Sequence, residues 1–466
     1  MNQSQENDIV IIGCGAGGAT AAQFAKKTDR KAQVTIFESS AFPQYSKCGI
    51  PYAISGEIPK IMDLIEFSED WFQKARIDLH LNTTVTDIDA EKKIITAEQK
   101  NGSILKKQYT SLIIATGANP ALPPIEGICE QDSQTLKNNI FTVRTIPDAK
   151  KISNAISTAK NAVVVGAGLI GLEMADNLHK KGLNVTIVEA LPSILTNILD
   201  EDMSKLVLEK IQEKVTIHLN TFATEVNSNE NGDVVSVVIK DKKQDEQKEI
   251  PTDLLIIAAG IKAETILAKQ VGCTIGDTGA IKVDERSKTS KEEVYAVGDC
   301  TEFIDFVTQK PVPIGLGSIA VRQGIAAGIN AAGGEYRLPK GVLQTATSEF
   351  FDIEIGTVGP SKQTRSEVDA ISGKYSGLSK PEYFPGGKPI TMKATVETDS
   401  GKIIGAQAVG ENAAQRVNTY AAAILSETRI DMFKKMETAY APPIAPTLDV
   451  VTLVADVTSM KWHRKK

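Results

Sequence analysis

The sequence predicts an α/β fold with two doubly wound domains, followed by a C-terminal α+β domain. Two glycine fingerprints of the form GxGxxG support this prediction, at residues 13–18 and 166–171. Each follows a strand-like apolar run and precedes a helical stretch, the pattern of a βαβ unit that binds a dinucleotide. After about residue 341 the pattern changes to short alternating strands without a fingerprint.

The first fingerprint belongs to an N-terminal βαβ unit. An apolar run precedes Gly13, Gly15 and Gly18, and the next strand-like run, residues 34–37, ends at Glu38. Glycines let the backbone approach a pyrophosphate at the positive end of the following helix. A carboxylate about twenty residues farther on binds the ribose hydroxyls. We therefore predict a dinucleotide site here.

The second fingerprint repeats this arrangement. Gly166, Gly168 and Gly171 are followed by Glu189, at the end of the next strand-like run. This carboxylate opposes a 2′-phosphate, and neither Arg nor Lys directly follows it, so we expect NADH to be preferred, with NADPH as the alternative. Glu173 is a candidate to reach the nicotinamide amide, although a solvated helix charge explains it nearly as well.

Composition excludes several classes of protein. The chain of 466 residues carries a formal net charge of −6, which gives no general basic field for nucleic acid. No apolar run of about 18 residues occurs, so no membrane span is expected. The first eight residues lack the apolar core of a signal peptide. Five scattered cysteines without a CxxC pair suit a reducing cytoplasm and encode no metal site.

One cysteine stands in a distinctive peptide, residues 45–52, with the sequence YSKCGIPY. The thiolate is the reactive form of cysteine, and a helix N-terminus or a nearby cation such as Lys47 favours it. Pro51 suits the first turn of a helix that starts after Cys48. A buried structural cysteine is the alternative. The remaining cysteines are interpreted as structural, with Cys300 kept as a minor redox candidate.

Three strand-then-glycine segments divide the chain. Thr116 and Gly117 end the first, residues 254–260 repeat the theme, and the third ends at Asp299. We expect the second half to be inserted into the first. The predicted domains are residues 1–122 with 262–340, residues 123–261, and residues 341–466, the last with a role in association.

Taken together, these motifs resemble one known family. The double fingerprint, the Thr116–Gly117 turn, Asp299, the Cys48 peptide and residues 439–443 are similar to the single-cysteine branch of the flavoprotein disulfide reductases. That branch contains coenzyme A-disulfide reductases, NADH oxidases, NADH peroxidases and polysulfide reductases. The resemblance implies an FAD-binding domain, an NAD-binding domain, a C-terminal dimerisation domain and a homodimer.

The resemblance also implies roles for single residues. Glu38 would bind the adenosine ribose of FAD, and Asp299 its ribityl chain. Cys48 would face the flavin and cycle between a thiolate and a mixed disulfide or sulfenate. Tyr383 and Tyr440, supplied by the partner subunit, would act at the substrate disulfide. For Tyr440, packing at the interface is an equally good interpretation.

The chain departs from the family at several positions. Ala16 occupies the place of the peroxidase histidine, which argues against a peroxidase. Leu169 replaces a tyrosine that lies over the flavin in many members, so access of oxygen is harder to exclude. Lysines stand where some relatives use arginines for the coenzyme A phosphates. The candidate substrate-binding cations are Lys26, Lys27, Lys47 and Arg322.

The sequence thus predicts a pyridine nucleotide-disulfide oxidoreductase that uses FAD and NAD(P)H. A small disulfide similar to coenzyme A disulfide is the first candidate for the acceptor. Oxygen, which would make the chain an NADH oxidase, is the second, and polysulfide is the third. A redox-responsive partner protein that binds FAD and NADH without turnover is the alternative outside the enzymes.

Overall fold

The computed structural model describes residues 7–130, 133, 135–242 and 246–465. The chain forms two compact units. The first unit comprises residues 1–121, 144–146 and 261–342, and the second comprises residues 122–143, 147–260 and 343–466. The boundaries of the three domains stay a prediction.

A five-stranded parallel sheet forms the centre of the first unit. Ile9 pairs with Val34 on one side and with Ser111 on the other. Its inner strands are almost entirely buried, as expected of a parallel sheet covered on both faces. From one edge of the sheet to the other, the strands are Val294–Ala296, Ser111–Ile114, Asp8–Ile12, Gln33–Phe37 and Asp78–His80.

Two long helices of the first unit, Ala16–Thr28 and Gly317–Ala331, pack closely together. A Cβ atom on Gly324 would lie 2.4 Å from the carbonyl oxygen of Gly17, and one on Gly328 would lie 2.2 Å from that of Ala21. Only glycine fits at both places. The close approach of the two helices fixes the position of the helix that follows the first fingerprint.

The remaining elements of the first unit are small sheets and short helices. They are the antiparallel sheet Thr83–Asp89, Ile94–Gln99 and Ile104–Gln108; the pair Ala118–Pro120 and Ile261–Ala263; the sheet Ile281–Lys282, Thr301–Ile304 and Pro311–Pro313; the helices Ile50–Ser55, Glu69–Lys74 and Ile266–Gln270; and the 3₁₀ turns Lys47–Gly49 and Ile61–Leu64.

The second unit contains a second parallel sheet of five strands. Its order is Thr216–His218, Asn184–Val188, Asn161–Val165, Leu254–Ile257 and Ile140–Thr142. The helices around it are Ile146–Ala155, Leu169–Lys180 and Glu201–Ile211, and an antiparallel sheet is formed by Thr221–Ser228, Val234–Asp241 and Gln247–Pro251.

The C-terminal part of the second unit is an antiparallel sheet with helices, so the predicted fold class is confirmed. The strands in order are Ala346–Phe350, Ile353–Val358, Ile403–Gly410, Pro389–Glu397 and Ala370–Leu378, and the helices are Ala413–Leu425, Ile430–Phe433 and Val450–Lys465. The strand Ala370–Leu378 was not expected from the sequence. It contains Gly373, where a Cβ atom would meet the backbone nitrogen of Thr458 at 2.7 Å, so the glycine admits the last helix.

A buried carboxylate joins the C-terminal sheet to the helix Glu201–Ile211. Asp200 accepts hydrogen bonds from the backbone of Lys362 (2.7 Å) and the amide of Gln407 (3.0 Å), and it pairs with Lys393 (2.7 Å) and Arg365 (3.3 Å). Burial alone would raise the pKa of Asp200, but the bond from Lys393 and the charge of Arg365 hold that pKa well below its usual range.

Membrane insertion has no structural support in the part of the chain that the structure describes. No helix there combines the length and apolarity needed to cross a bilayer.

Candidate active site

The first glycine loop is tightly folded at two positions and open at a third. Gly13 has φ +103°, and a Cβ atom there would lie 2.3 Å from the carbonyl oxygen of Ala115. A Cβ atom on Gly18 would lie 2.0 Å from the carbonyl oxygen of Gly13. Around the Cβ position of Gly15, by contrast, no atom of the described residues beyond its own chain neighbours lies within 4 Å. The loop therefore offers bare backbone and free space to a pyrophosphate.

Glu38 is held at this loop by two backbone hydrogen bonds. Its Oε2 accepts from the nitrogen of Cys14 at 2.7 Å, and its Oε1 accepts from the nitrogen of Ser40 at 2.8 Å. An ionised carboxylate has about four acceptor sites, so both oxygens retain capacity for ribose hydroxyls. The geometry of the loop and of the carboxylate fits a dinucleotide cofactor.

Asp299 is paired with a cation that the sequence did not single out. Arg144 Nη2 lies 2.7 Å from Asp299 Oδ2. Gly117 adjoins this pair, since a Cβ atom there would be 3.5 Å from the same nitrogen of Arg144. The hydroxyl of Thr116 donates to the carbonyl oxygen of Glu264 at 2.8 Å. Arg144 follows an ordinary strand and matches no motif, so only the fold identifies it.

Cys48 lies in the 3₁₀ turn Lys47–Gly49, which leads directly into the helix Ile50–Ser55. Pro51 stands at the start of that helix, as predicted. The Cys48 residue is exposed, so its position allows a substrate to approach. The expectation of a thiol at the start of a helix is confirmed.

The other four cysteines have different environments. Cys14, Cys273 and Cys300 are buried, and Cys129 is partly exposed. Burial raises the pKa of each of the three buried thiols, which disfavours their thiolates. The thiol of Cys300 contacts the carbonyl oxygens of Val297 and Ile114, at 3.3 and 3.6 Å. These surroundings support a structural interpretation of all three.

Lys47 places a cation next to Cys48 in the chain. The surrounding protein desolvates its ammonium group and Arg144 repels it, and both effects lower the pKa of Lys47. Asp299 and Glu38 oppose this shift. The first site thus combines two cations and two carboxylates with the redox candidate Cys48.

The second glycine loop reproduces the first. Gly166 has φ +105°, and its Cβ position lies 2.4 Å from the carbonyl oxygen of Ala258. A Cβ atom on Gly171 would lie 2.0 Å from the carbonyl oxygen of Gly166, whereas the space around Gly168 is open. This loop therefore also fits a dinucleotide.

Glu189 occupies the same place in the second loop as Glu38 in the first. Its oxygens accept from the backbone nitrogens of Ala167 (2.6 Å) and Leu191 (2.8 Å). A lysine distant in the sequence reaches the residue that follows Glu189, because Lys242 Nζ donates to the carbonyl oxygen of Ala190 at 2.8 Å. The residues that directly follow Glu189 carry no positive charge, so the sequence pattern does not reveal this cation.

Glu173 makes a side-chain contact that the sequence did not reveal. Its helix begins at Leu169, so Glu173 lies in the second turn of that helix. The hydroxyl of Ser348 donates to Glu173 Oε1 at 2.5 Å. Burial raises the pKa of Glu173, and the bond from Ser348 partly opposes that rise.

The two candidate catalytic tyrosines come together, although they are 57 residues apart in the chain. The hydroxyl oxygens of Tyr383 and Tyr440 lie 2.9 Å apart, and the bond raises the pKa of Tyr383. Both rings are exposed, at 71% and 46% of their surface. Ile444 and Leu448, which follow Tyr440, are exposed as well.

The candidate substrate-binding cations away from Cys48 have ordinary surroundings. Lys26 donates to the carbonyl oxygens of Arg30 (3.1 Å) and Ala32 (2.8 Å), and the ammonium of Lys27 lies 4.4 Å from the ring centre of Phe24. Both lysines are in the last turn of their helix, at the end opposite the glycine loop. Arg322 is exposed on the helix Gly317–Ala331. Their role in binding substrate stays a prediction.

Comparison with protein families gives two matches that cover most of the chain. The family described as pyridine nucleotide-disulphide oxidoreductase matches residues 7–324. The dimerisation domain of the same family matches residues 345–451.

Individual relatives are similar over almost their whole length. An NADH oxidase of Methanocaldococcus jannaschii is 36% identical over 98% of this chain and 99% of its own. An NAD(P)H coenzyme A polysulfide/persulfide reductase of Pyrococcus horikoshii is 33% identical, with the same coverage. The solved structure of an NAD-dependent persulfide reductase from A. fulgidus superimposes with a TM-score of 0.91 at 34% identity, over 98% of this chain and 84% of that one.

Proposed function

The chain belongs to the pyridine nucleotide-disulphide oxidoreductase family, and on that premise we propose that it reduces the sulfur–sulfur bond of a small disulfide through Cys48. The family is FAD- and NAD(P)H-dependent, so the chain is a flavin-dependent oxidoreductase. The alternative of a partner protein without turnover is therefore set aside. The identity of the acceptor belongs to the proposal.

The two glycine loops provide the places for FAD and NAD(P)H. We assign FAD to the first loop, with Gly13, Gly15, Gly18, Glu38 and the pair Thr116–Gly117 next to Asp299. We assign NAD(P)H to the second loop, with Gly166, Gly168, Gly171, Glu173 and Glu189. When bound, FAD supplies the two-electron chemistry that links a nicotinamide to a sulfur substrate.

The exposure of Cys48 is the observation that carries the proposal. It is the exposed thiol among five, at the start of a helix and beside Lys47, in the unit that contains the first glycine loop. A helix start and a cation both favour the thiolate, which is the nucleophile in disulfide exchange. Burial disfavours the thiolates of Cys14, Cys273 and Cys300.

The proposed reaction proceeds by thiol–disulfide exchange. The Cys48 thiolate attacks one sulfur of the substrate disulfide, whose S–S bond breaks, and the departing thiolate takes up a proton. Cys48 is left in a mixed disulfide with the other half of the substrate. Two electrons from NAD(P)H then break that bond, which releases the second thiol and restores the Cys48 thiolate. In sum, one disulfide, one NAD(P)H and one proton give two thiols and NAD(P)⁺.

We further propose that the chain works as a homodimer. The chain contains the dimerisation domain of its family, and within that region Tyr383, Tyr440, Ile444 and Leu448 are each exposed. The paired tyrosine hydroxyls would act at the substrate bound to a second copy of the chain. There Tyr440 would protonate the departing thiolate, and its bond to Tyr383 would hold the phenol in place.

Oxygen is the second candidate acceptor. The relative from Methanocaldococcus jannaschii is named an NADH oxidase, and Leu169 stands where many members have a tyrosine. Polysulfide and persulfide are closely related to the first candidate, because their reduction also breaks a sulfur–sulfur bond. The name of the Pyrococcus horikoshii relative supports this class.

The test is the Cys48→Ser variant, assayed with NADH and a panel of acceptors. We expect the variant to bind FAD but to lose reduction of coenzyme A disulfide, cystine and polysulfide. Consumption of oxygen is expected to persist, because reduced flavin reacts with oxygen without the thiol. The matched control is Cys129→Ser, which removes a partly exposed thiol and should keep wild-type rates.

Two results would contradict the proposal. One is reduction of all sulfur acceptors by Cys48→Ser at the wild-type rate, which would make Cys48 structural. The other is a wild-type enzyme that turns over with oxygen alone. A mass spectrum of the untreated protein narrows the substrate class, because a coenzyme A adduct or a sulfenate on Cys48 has a distinct mass.

A further inference from the structure

A short series of hydrogen bonds holds Lys242 beside the residues that follow Glu189. The backbone nitrogen of Lys242 donates to the carbonyl oxygen of Asn220 at 2.8 Å. The backbone nitrogen of Asn220 donates in turn to the carbonyl oxygen of Leu191 at 3.1 Å. The Lys242 ammonium then donates to the carbonyl oxygen of Ala190 at 2.8 Å. The end of the strand Val234–Asp241 is thereby fastened beside the two residues that follow Glu189.

The ammonium group of Lys242 has both a fixed position and spare hydrogen-bonding capacity. It lies 4.3 Å from the ring centre of Phe222, a cation–π contact that holds the side chain over the ring. The residue is exposed to solvent. Of its three N–H donors, one is used by Ala190 within the described part of the chain. The group is therefore available to an anion that approaches Ala190.

The position of Lys242 matters because NADH and NADPH differ at the 2′ position of the adenosine ribose. In a βαβ nucleotide site, the carboxylate at the end of the second strand binds the 2′-hydroxyl of the adenosine ribose, and a basic residue nearby accommodates a 2′-phosphate. Glu189 is that carboxylate, and the ammonium of Lys242 is bound to the next residue. A cation therefore stands beside the place where a 2′-phosphate would extend.

We infer that Lys242 is a specificity-determining residue that lets the second nucleotide site accept the 2′-phosphate of NADPH. Glu189 favours NADH by repulsion of that phosphate, and Lys242 reduces the repulsion by supplying the opposite charge. The inference depends on the assignment of NAD(P)H to the second glycine loop. It does not depend on the identity of the electron acceptor.

The first experiment measures binding without turnover. The holoenzyme and its Lys242→Gln variant are titrated by calorimetry with adenosine 2′,5′-bisphosphate and with ADP. Gln retains an N–H donor for Ala190 but carries no charge. We expect the variant to bind the 2′,5′-bisphosphate about tenfold more weakly, the scale of one charge-assisted hydrogen bond, with ADP binding unchanged. Lys210→Gln, an exposed lysine of the same unit, is the matched control.

The second experiment measures steady-state kinetics with each nucleotide. In Lys242→Gln, kcat/KM for NADPH should fall while kcat/KM for NADH stays constant. The ratio of wild-type to variant kcat/KM for NADPH should decrease at high salt, because salt screens exposed charges.

Two outcomes would overturn the inference. Equal losses for both ligands would mean that Lys242 only supports the loop, and no loss for either would place the 2′-phosphate elsewhere. Because the calorimetry requires no acceptor, it gives an answer even if the chain fails to reduce any disulfide.

Discussion

The two glycine loops have nearly the same backbone geometry, but different side chains surround them. In each, the first and last glycines meet carbonyl oxygens so closely that a Cβ atom would lie 2.0 to 2.4 Å from one, and the middle glycine faces open space. In each, a glutamate accepts one hydrogen bond from within the loop and one from two residues farther along the chain. These shared features suit a pyrophosphate and a ribose, which FAD and NAD(P)H have in common.

The loops differ in the side chains that the rest of the fold brings to them. The first lies in a unit with the Arg144–Asp299 ion pair, Lys47 and the exposed Cys48. The second has Glu173 bound to Ser348, and Lys242 at the residue after Glu189. A fingerprint therefore indicates the class of ligand, while contacts from distant parts of the chain decide what the site does with that ligand.

The largest effect on cofactor binding is expected when the last glycine of each loop is replaced by alanine. Gly18→Ala and Gly171→Ala each place a Cβ atom 2.0 Å from a backbone oxygen. Gly18→Ala should lose FAD, whereas Gly171→Ala should keep FAD but lose its reduction by NADH. Flavin absorbance before and after anaerobic addition of NADH measures both. A Gly18→Ala enzyme that retains its flavin, or a Gly171→Ala enzyme that NADH still reduces, would show that the assignments are wrong.

The next effect tests the ion pair of the first site. Arg144→Met leaves Asp299 without its cation in a location where the two side chains are only 14% and 20% exposed. We expect the free energy of unfolding to fall by about 3 kcal/mol, because a largely buried charge loses its partner. Urea denaturation measures it.

Lys92→Met is the control for the Arg144 experiment. It breaks an exposed ion pair with Asp89 and should change stability far less, because solvent screens exposed charges. Equal losses in the two variants would mean that Arg144 has no special role.

The third prediction concerns the glutamates of the two loops. Glu38→Gln and Glu189→Gln each remove one negative charge but keep the shape of the side chain. We expect about tenfold weaker retention of FAD in the first variant and about tenfold weaker binding of NADH in the second. Glu189→Gln should also lower the ratio of kcat/KM for NADH over NADPH. If Glu189→Gln leaves that ratio unchanged, the carboxylate does not select the nucleotide.

The smallest effect concerns the pH dependence of stability at Glu173. Burial raises the pKa of Glu173 above its ordinary value of 4.5, so above pH 4.5 the folded state binds more protons than the unfolded state. This contribution to stability is complete below the unfolded pKa and is lost as pH rises through the folded pKa. Glu173→Gln abolishes the loss, so its stability relative to the wild type should increase with pH.

Urea denaturation of Glu173→Gln across this pH range tests the prediction. Glu213→Gln, at an exposed position of the same unit, serves as the control and should show no such trend. A constant difference between Glu173→Gln and the wild type would mean that Glu173 titrates normally in the folded protein.

Much of the fold followed from local patterns. The strands and helices around both fingerprints form where apolar runs, glycines and terminal acids predicted them, because βαβ hydrogen bonds and loop sterics are set within about forty residues. The helix at Pro51 was also predicted locally, because Pro suits the first turn of a helix. The strand Ala370–Leu378 was not predicted, and its Gly373 and Gly377 weaken the strand pattern of that segment. Gly373 in fact serves a contact with Thr458, which lies on a different element.

The fold class, the two glycine loops with their glutamates, and Cys48 as the candidate redox thiol could all be predicted from local patterns of residues. The charges that accompany them depend on tertiary packing. Arg144 meets Asp299 across 155 positions, Ser348 meets Glu173 across 175, and Lys242 meets Ala190 across 52. Backbone geometry within a motif is local, whereas electrostatic partners are brought together by packing of whole elements, and no spacing rule in the chain records which ones will meet.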